Sequence, residues 1–129
     1  MADGPKHRLG ELMERSNPQF EAVMSCVFGI EDHETRTYLA VLEQPGCTID
    51  ELTGSLDRDR STVNRSLATL DDRGLVSRDR RLLDGGGYVY QYTAIALPEV
   101  KTMLHEALDV WTETVHGVID DFDGERETE

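Results

Sequence analysis

The sequence predicts a mainly α-helical fold that carries one small β-hairpin. Apolar residues recur at helical spacing, about every 3.6 residues, in five separate stretches, and the spacing shortens to about two residues only after Gly74. The chain has 129 residues, of which 38% are hydrophobic and 30% are charged. This length suits one compact domain and leaves little room for a second core.

The N-terminal part is expected to form a helical segment over residues 9–30 that supports a dimer, after a disordered stretch over residues 1–8. Asn17 followed by Pro18 has the form of a helix start, and Gly29 is placed to end the helix. Five apolar residues between these signals fall on one helical face: Phe20, Val23, Met24, Val27 and Phe28.

Two shorter helices are expected next. Asp32 is the expected cap of the second helix, which the Pro-Gly pair at 45–46 stops. Thr48 and Glu51 are spaced as a capping box, in which the hydroxyl accepts from a backbone amide and the carboxylate reaches back to another. The third helix is therefore expected to run from this box to about Leu56.

A fourth helix is expected over residues 62–73, after a polar turn over residues 57–61. Gly74 is placed to be its left-handed C-terminal residue. Three apolar residues form its inward face: Val63, Leu67 and Leu70.

A β-hairpin is expected after Gly74, because the apolar spacing there is typical of strands. Leu75–Leu83 and Tyr88–Thr93 are the two strands, and the glycine-rich stretch 84–87 joins them. Three residues of the second strand share one face: Tyr88, Tyr90 and Tyr92.

A long C-terminal helix is expected over residues 95–122, opened by Pro98 and followed by an acidic tail over residues 123–129. Six apolar residues follow one another at alternating spacings of four and three: Leu104, Leu108, Trp111, Val115, Val118 and Phe122. This spacing is typical of a coiled-coil seam and predicts a dimer interface, with packing against the rest of the same chain as the alternative.

A short helix, a tight turn, a second helix with a polar outer face and a hairpin together predict a winged helix-turn-helix over residues 31–94. In this motif the second helix enters the DNA major groove, so its inner face must be apolar while its outer face offers hydrogen-bond donors. Five candidates lie on the recognition helix: Arg60, Ser61, Thr62, Asn64 and Arg65. Three lie on the wing: Arg78, Arg80 and Arg81.

The chemistry of each candidate fits a role at DNA. Asn64 carries the amide for a bidentate contact to adenine, and Arg65 carries the guanidinium for guanine. Ser61 and Thr62, at the helix N-terminus, suit a phosphate oxygen. The wing arginines suit the backbone or the minor groove. The alternative is a solvated helix face beside an ordinary arginine-bearing hairpin.

The net charge argues against nucleic acid at first sight, since 13 Lys and Arg oppose 26 Asp and Glu, a net of −13. The charge is unevenly distributed, however. Residues 58–81 hold 7 basic and 4 acidic side chains, a net of +3, while residues 1–57 carry −7 and residues 82–129 carry −9. The expected contact surface is therefore locally positive. The acidic excess as a whole suggests adaptation to high salt.

No other chemistry is expected. Cys26 and Cys47 form neither a disulfide framework nor a metal pair, and are interpreted as ordinary thiols, with a redox-sensing pair as the alternative. His105 and His116 are too far apart along one helix to share a metal ion. No nucleophile with a recognisable base is present, so no enzymatic activity, cofactor or metal is expected. With neither a membrane span nor a secretory signal, a cytoplasmic protein is expected.

Three pieces of the motif resemble a known family: residues 48–52, residues 56–67 with Arg-Ser-Thr-Val, and residues 70–76 with Arg-Gly-Leu-Val. They are similar to the winged helix-turn-helix of archaeal TrmB-like regulators and the related MarR family, over about residues 31–94. The resemblance implies a dimeric transcription regulator, and the acidic composition is like that of haloarchaeal members.

Two departures from these families matter. The chain ends before a sugar-binding domain of the kind that full-length TrmB-like regulators carry, so sugar sensing is not implied. The wing lacks the full pattern typical of MarR members, Asp-x-Arg with a downstream Leu-Thr, so a MarR-type ligand pocket is not implied either.

The leading hypothesis is a sequence-specific, homodimeric DNA-binding regulator that recognises an inverted repeat in double-stranded DNA. An alternative of another class is a winged-helix module that binds a basic protein and no DNA. A third is a regulator gated by oxidation of its two cysteines. The sequence identifies no small-molecule effector and does not distinguish activation from repression.

Overall fold

The computed structural model describes residues 19–124, which fall into two units that meet between Ile95 and Ala96. The first unit contains, in chain order, α1 (Phe20–Phe28), α2 (Asp32–Glu43), α3 (Ile49–Leu56), α4 (Arg60–Asp72), β1 (Val76–Leu82) and β2 (Tyr88–Ala94). The second contains α5 (Leu97–Asp121). The expected fold class, mainly α with a small hairpin, is confirmed. The expectations for residues 1–18 and 125–129, the helix start at Asn17 among them, lie outside the described residues.

The first helix follows its expected apolar face only in part. Met24 is fully buried, whereas the other four residues of this face are half-buried. Gly29 adopts the left-handed conformation, with φ 72°, and its amide donates to Ser25 O at 2.9 Å. The stop signal in the sequence therefore ends the helix as expected.

Local capping interactions set the starts of α2 and α3. The Thr48–Glu51 capping box is confirmed: Glu51 N donates to Thr48 Oγ1 at 3.2 Å, and Thr48 N donates to Glu51 Oε1 at 2.9 Å. The expected cap of α2 is wrong by one residue. Glu31 is the N-cap and forms its own capping box with Glu34, so Asp32 becomes the first helical residue.

The fourth helix, α4, begins earlier than expected. Asp59 is its N-cap, so Arg60 and Ser61 belong to the first helical turn rather than to the preceding turn. The helix ends at Asp72, and Gly74 has φ 77°, as its position at a left-handed C-terminus requires. The expected inward face is confirmed, since three residues are at most 1% exposed: Val63, Leu67 and Leu70.

The hairpin pairs β1 with β2 in antiparallel register, from Val76 opposite Ala94 to Leu82 opposite Tyr88. Relative to expectation, β1 is shorter by one residue at each end and β2 is longer by one. A third segment that the sequence did not predict joins this sheet. Cys47 forms an isolated bridge with Tyr92, whose N donates to Cys47 O at 2.8 Å. The hairpin is thereby attached to the loop between α2 and α3.

The core of the first unit lies between the helices and the base of the hairpin. Seven of its large side chains are at most 1% exposed: Met24, Ile30, Tyr38, Leu52, Leu67, Leu70 and Leu75. The Tyr38 hydroxyl donates to Ile95 O at 2.6 Å, so the one polar atom of this buried ring has a partner. The buried inner face of α4 thus determines which of its residues point outward.

The second unit is a single helix, α5, of 25 residues with Pro98 in its first turn. It ends at Asp121, one residue before expectation, and Phe122 is its C-cap. Beyond Leu104, which is 7% exposed, six large apolar side chains are at least 40% exposed: Leu108, Val110, Trp111, Val118, Ile119 and Phe122. No described helix is long and apolar enough to cross a membrane.

Candidate nucleic-acid interface

The outer face of α4 presents the polar side chains that the sequence singled out. Ser61, Asn64 and Arg65 are exposed on it, and Thr62 is half-buried. The first turn also carries backbone amides without helical partners, which favour an anion. Val63 and Leu67 anchor the opposite face in the core. The helix therefore offers hydrogen-bond donors to solvent from a fixed position.

Thr62 has a local role that the sequence did not predict. The nearby Thr62 hydroxyl is the main reason that the pKa of Asp59 lies below its usual value. The nearby positive charge of Arg65 lowers this pKa further. Thr62 thus favours the ionised form of Asp59 at the start of α4.

Arg60 is engaged by a carboxylate of the preceding helix. Its Nη1 forms an ion pair with Asp50 Oδ1 at the start of α3. Both side chains are mostly exposed, and exposed ion pairs contribute only about 0–1 kcal/mol. Arg60 can therefore exchange Asp50 for a phosphate at little cost. Sequence analysis did not find Asp50, because the two residues are ten apart and meet only through the helix-turn-helix.

A cleft of about 230 Å³ lies between α4 and the wing. Its walls are formed by Asn64, Leu67, Ala68, Asp71, Asp72, Arg78 and Tyr92. The structure thereby brings a candidate of the recognition helix, Asn64, and a candidate of the wing, Arg78, to the same opening. Asp71 also interacts electrostatically with Arg78, so a carboxylate stands beside this cation.

The three wing arginines do not act from one side. Arg78 and Arg80 alternate with Asp79 along β1 and share a face, whereas Arg81 points to the opposite face. The guanidinium of Arg78 lies 4.1 Å from the ring centroid of Tyr90, and that of Arg80 lies 4.9 Å from Tyr88. Only two of the three expected wing residues therefore face the same way.

Arg73 accounts for part of the local positive charge but is used structurally. Its Nε donates to Phe28 O at 2.8 Å, and its Nη1 pairs with Asp72 Oδ2 at 2.8 Å. It joins the end of α4 to the end of α1. The positive charge free for a ligand is therefore concentrated in the first turns of α4 and on the wing.

The two cysteines lie in different environments. Cys26 is exposed, whereas Cys47 is 2% exposed and burial raises the pKa of its thiol. A raised pKa lowers the thiolate fraction and hence the reactivity of Cys47. Within residues 19–124, no group of three or more His, Cys, Asp or Glu side chains could hold a metal ion.

A helix-turn-helix with a donor-bearing second helix and an arginine-bearing hairpin defines the winged helix-turn-helix class of regulators. Residues 24–97 match the family described as "Sugar-specific transcriptional regulator TrmB". The chain belongs to the TrmB family. This is a family of transcriptional regulators rather than enzymes, in agreement with the expectation from the sequence.

Relatives from archaea support this membership. The chain is 35% identical over 92 residues to the uncharacterized protein MJ1503 of Methanocaldococcus jannaschii, covering 71% of this chain and 70% of that protein. It is 36% identical over 95 residues to the uncharacterized protein MJ1082 of the same organism, covering 74% and 78%.

Solved structures share the fold. A possible transcriptional regulator from Methanosarcina mazei Go1 matches with a TM-score of 0.72 and 25% identity, over 81% of this chain and 88% of that one. A MepR mutant from S. aureus, bound to an oligodeoxyribonucleotide, matches with a TM-score of 0.51 and 16% identity, over 98% and 90%. At this identity the second likeness concerns the fold alone.

Proposed function

We propose that this chain is a sequence-specific DNA-binding transcriptional regulator that acts as a homodimer on an inverted repeat. The observation that carries the proposal is the outer face of α4. It exposes Asn64 and Arg65 above a fully buried inner face and shares a cleft with Arg78 of the wing. Family membership supports the regulatory role.

In this proposal α4 enters the major groove. Asn64 reads adenine through its amide, and Arg65 reads guanine through its guanidinium, because these side chains match the donor and acceptor pattern of those base edges. Ser61 and the free amides of the first turn bind a phosphate. Arg60 leaves Asp50 and binds the backbone beside them.

The wing supplies the second set of contacts. Arg78 and Arg80 lie on the face of the hairpin that carries the tyrosines, and Arg78 also lines the cleft beside α4. Both are placed for the DNA backbone or the minor groove next to the site of α4. Arg81 lies on the other face and contributes less.

Carboxylates accompany nearly all of these cations, which has a consequence for affinity. Asp50 pairs with Arg60, Asp59 lies near Arg65, and Asp71 lies near Arg78. The whole chain carries −13. Non-specific attraction to phosphates is therefore weak, and affinity falls only shallowly as salt increases. Specificity comes mainly from base contacts.

The homodimer is proposed on the apolar face of α5. Trp111 and Val118 are each 64% exposed, and Phe122 is 62% exposed. Apolar residues exposed in a row at coiled-coil spacing are unfavourable in water and mark an interaction site. A second copy, packed by two-fold symmetry, covers this face and places two recognition helices about one DNA turn apart.

The proposal can be tested in two steps. Duplexes that bind the protein are first selected from a random DNA library, and the affinity for the selected duplex is then measured by fluorescence anisotropy. Asn64→Ala and Arg65→Ala are each expected to weaken binding by about 5- to 150-fold and to relax preference at their own base pair. Arg36→Ala is the matched control, because Arg36 is an exposed arginine of α2 outside the proposed interface. It is expected to leave binding nearly unchanged.

Two results would contradict the proposal in different ways. Selection that enriches no sequence, with no duplex bound at any salt concentration, would indicate the alternative of a protein-binding winged helix. Enrichment of a sequence whose binding survives both Asn64→Ala and Arg65→Ala would keep DNA binding and remove α4 as the reading element.

A further inference from the structure

Two arginines and two tyrosines of the wing are stacked on one face of the hairpin. Arg78 stands opposite Tyr92 in the register but lies over the ring of Tyr90, and Arg80 stands opposite Tyr90 but lies over the ring of Tyr88. The rings of Tyr88 and Tyr90 meet edge to face, with centroids 5.4 Å apart and planes at 76°. Each guanidinium thus lies over the ring diagonal to it, and the two rings pack against each other.

This arrangement restricts the two arginines without using their hydrogen-bond donors. A guanidinium that stacks on a ring presents its flat face to the π-system, so its N–H edges stay free for a phosphate or a base edge. An arginine that is held before it meets DNA loses less side-chain freedom on binding. The neighbouring Tyr92 hydroxyl is the main reason that the pKa of Arg78 lies above its usual value.

Arg81 provides the contrast within the same strand. It lies on the opposite face, opposite Val89 in the register, and no ring stacks on it among the residues that the structure describes. The stack therefore distinguishes two of three neighbouring arginines, and they are the two on the face that borders α4 at Arg78.

On the basis of the DNA-binding function proposed above, we infer that Tyr90 and Tyr88 are positioning residues of the wing. Tyr90 holds Arg78 beside the cleft that Asn64 also lines, and Tyr88 holds Arg80 closer to the tip. The tyrosines act through the arginines and need no contact with DNA. The wing thereby presents two guanidinium groups in fixed directions, while Arg81 lies on the opposite face.

A double-mutant cycle on the selected duplex tests this role. Tyr90→Leu removes the ring and is expected to weaken binding by about two- to fivefold, the range of an exposed cation–π contact. Tyr90→Phe keeps the ring and is expected to bind as the unaltered protein does. In an Arg78→Ala background, Tyr90→Leu is expected to have no further effect, because the group that the ring positions is gone. In an Arg81→Ala background, Tyr90→Leu is expected to retain its full effect.

Two further measurements separate positioning from folding. In NMR spectra of the protein without DNA, the side-chain signals of Arg78 are expected to show a ring-current shift that Tyr90→Phe keeps and Tyr90→Leu loses. The slope of binding affinity against salt is expected to decrease by about one in Arg78→Ala and to stay the same in Tyr90→Leu, because only the first removes a charge. Thermal unfolding of each variant reports any loss of the fold.

The inference is overturned if Tyr90→Leu weakens binding equally with and without Arg78, or if Tyr90→Phe weakens it as much as Tyr90→Leu. It is also overturned, with DNA binding intact, if Arg78→Ala weakens binding and Tyr90→Leu does not. If the unaltered protein binds no duplex, the proposed function fails, and the positioning role fails with it.

Discussion

The core of the unit that ends at Ile95 and the apolar face of α5 differ in how far their large apolar side chains are exposed. In the first unit, Leu67, Leu70 and Leu75 are at most 1% exposed. In α5, Trp111 and Val118 are 64% exposed. The first unit therefore has a buried core of its own, whereas the apolar face of α5 is largely exposed in the part of the chain that the structure describes. The difference indicates that the fold of the first unit and the proposed dimer of α5 depend on apolar side chains in separate parts of one short sequence.

The largest effect is expected from removing a buried side chain from the core of the first unit. Leu70→Ala should lower the free energy of unfolding by about 2–5 kcal/mol, because it leaves a cavity in the core beneath α4. Urea unfolding followed by circular dichroism measures the loss. Leu82→Ala, at a residue that is 75% exposed near the tip of the wing, is the control and should change stability by less than about 0.5 kcal/mol. Equal losses in the two variants would mean that Leu70 is not the core residue described.

The second largest effect is expected from placing a charge on the apolar face of α5. Trp111→Glu should weaken the proposed dimer by at least about 30-fold, since a charge replaces an aromatic residue near the middle of the apolar face. Sedimentation equilibrium measures the association. His116→Glu adds the same charge to an exposed residue around the same helix and should leave association nearly unchanged. A chain that is monomeric without any substitution would contradict the proposed dimer outright.

A smaller effect is expected from removing a local capping contact of the first unit. Thr48→Ala removes the hydroxyl that accepts from Glu51 N and should lower stability by about 1 kcal/mol. The loss should be the same at every protein concentration, because α3 needs no second copy. Thr112→Ala, at an exposed position of α5, should change the stability of the chain much less. A loss at Thr48 that varied with concentration would link α3 to assembly.

The smallest effect concerns pH at the start of α4. The pKa of Asp59 is lowered in the folded state, chiefly by the Thr62 hydroxyl, so the folded chain favours its ionised form. This contribution is present above the pKa of an unfolded aspartate, about 3.9, and is lost as pH falls through the lower, folded pKa. Thr62→Val should reduce the fall in thermal midpoint below about pH 4, and a profile unchanged from that of the unaltered protein would argue against the interaction.

The sequence was most informative where partners are close along the chain. The Thr48–Glu51 box and the left-handed Gly74 depend on contacts within a few residues, and both were predicted correctly. The cap of α2 was misplaced because Glu31 and Asp32 are both acidic neighbours of the same turn. The decision between them rested on Glu34, whose carboxylate reaches the amide of Glu31 at 2.9 Å.

The candidate interface was predicted as a set of residue types rather than as a geometry. Asn64 and Arg65 followed from the helical period alone, since the buried face of α4 determines which residues point outward. Arg78, Arg80 and Arg81 were grouped because they are neighbours in sequence. Strand alternation separates Arg81 from the other two, and only the tertiary structure shows which rings the remaining arginines meet.

Several features could be predicted from the sequence because they depend on interactions within one or two turns. They are the order of helices and strands, the N-terminal cap of α3, the C-terminal end of α4 and the apolar face of α5. The tertiary structure alone decided that Cys47 bridges to Tyr92, that Arg73 binds Phe28 O, and that Arg60 is held by Asp50. These partners are between ten and 45 residues apart. Contacts over such separations form only when the packed core brings the elements together. The same packing determines the directions in which the arginines point.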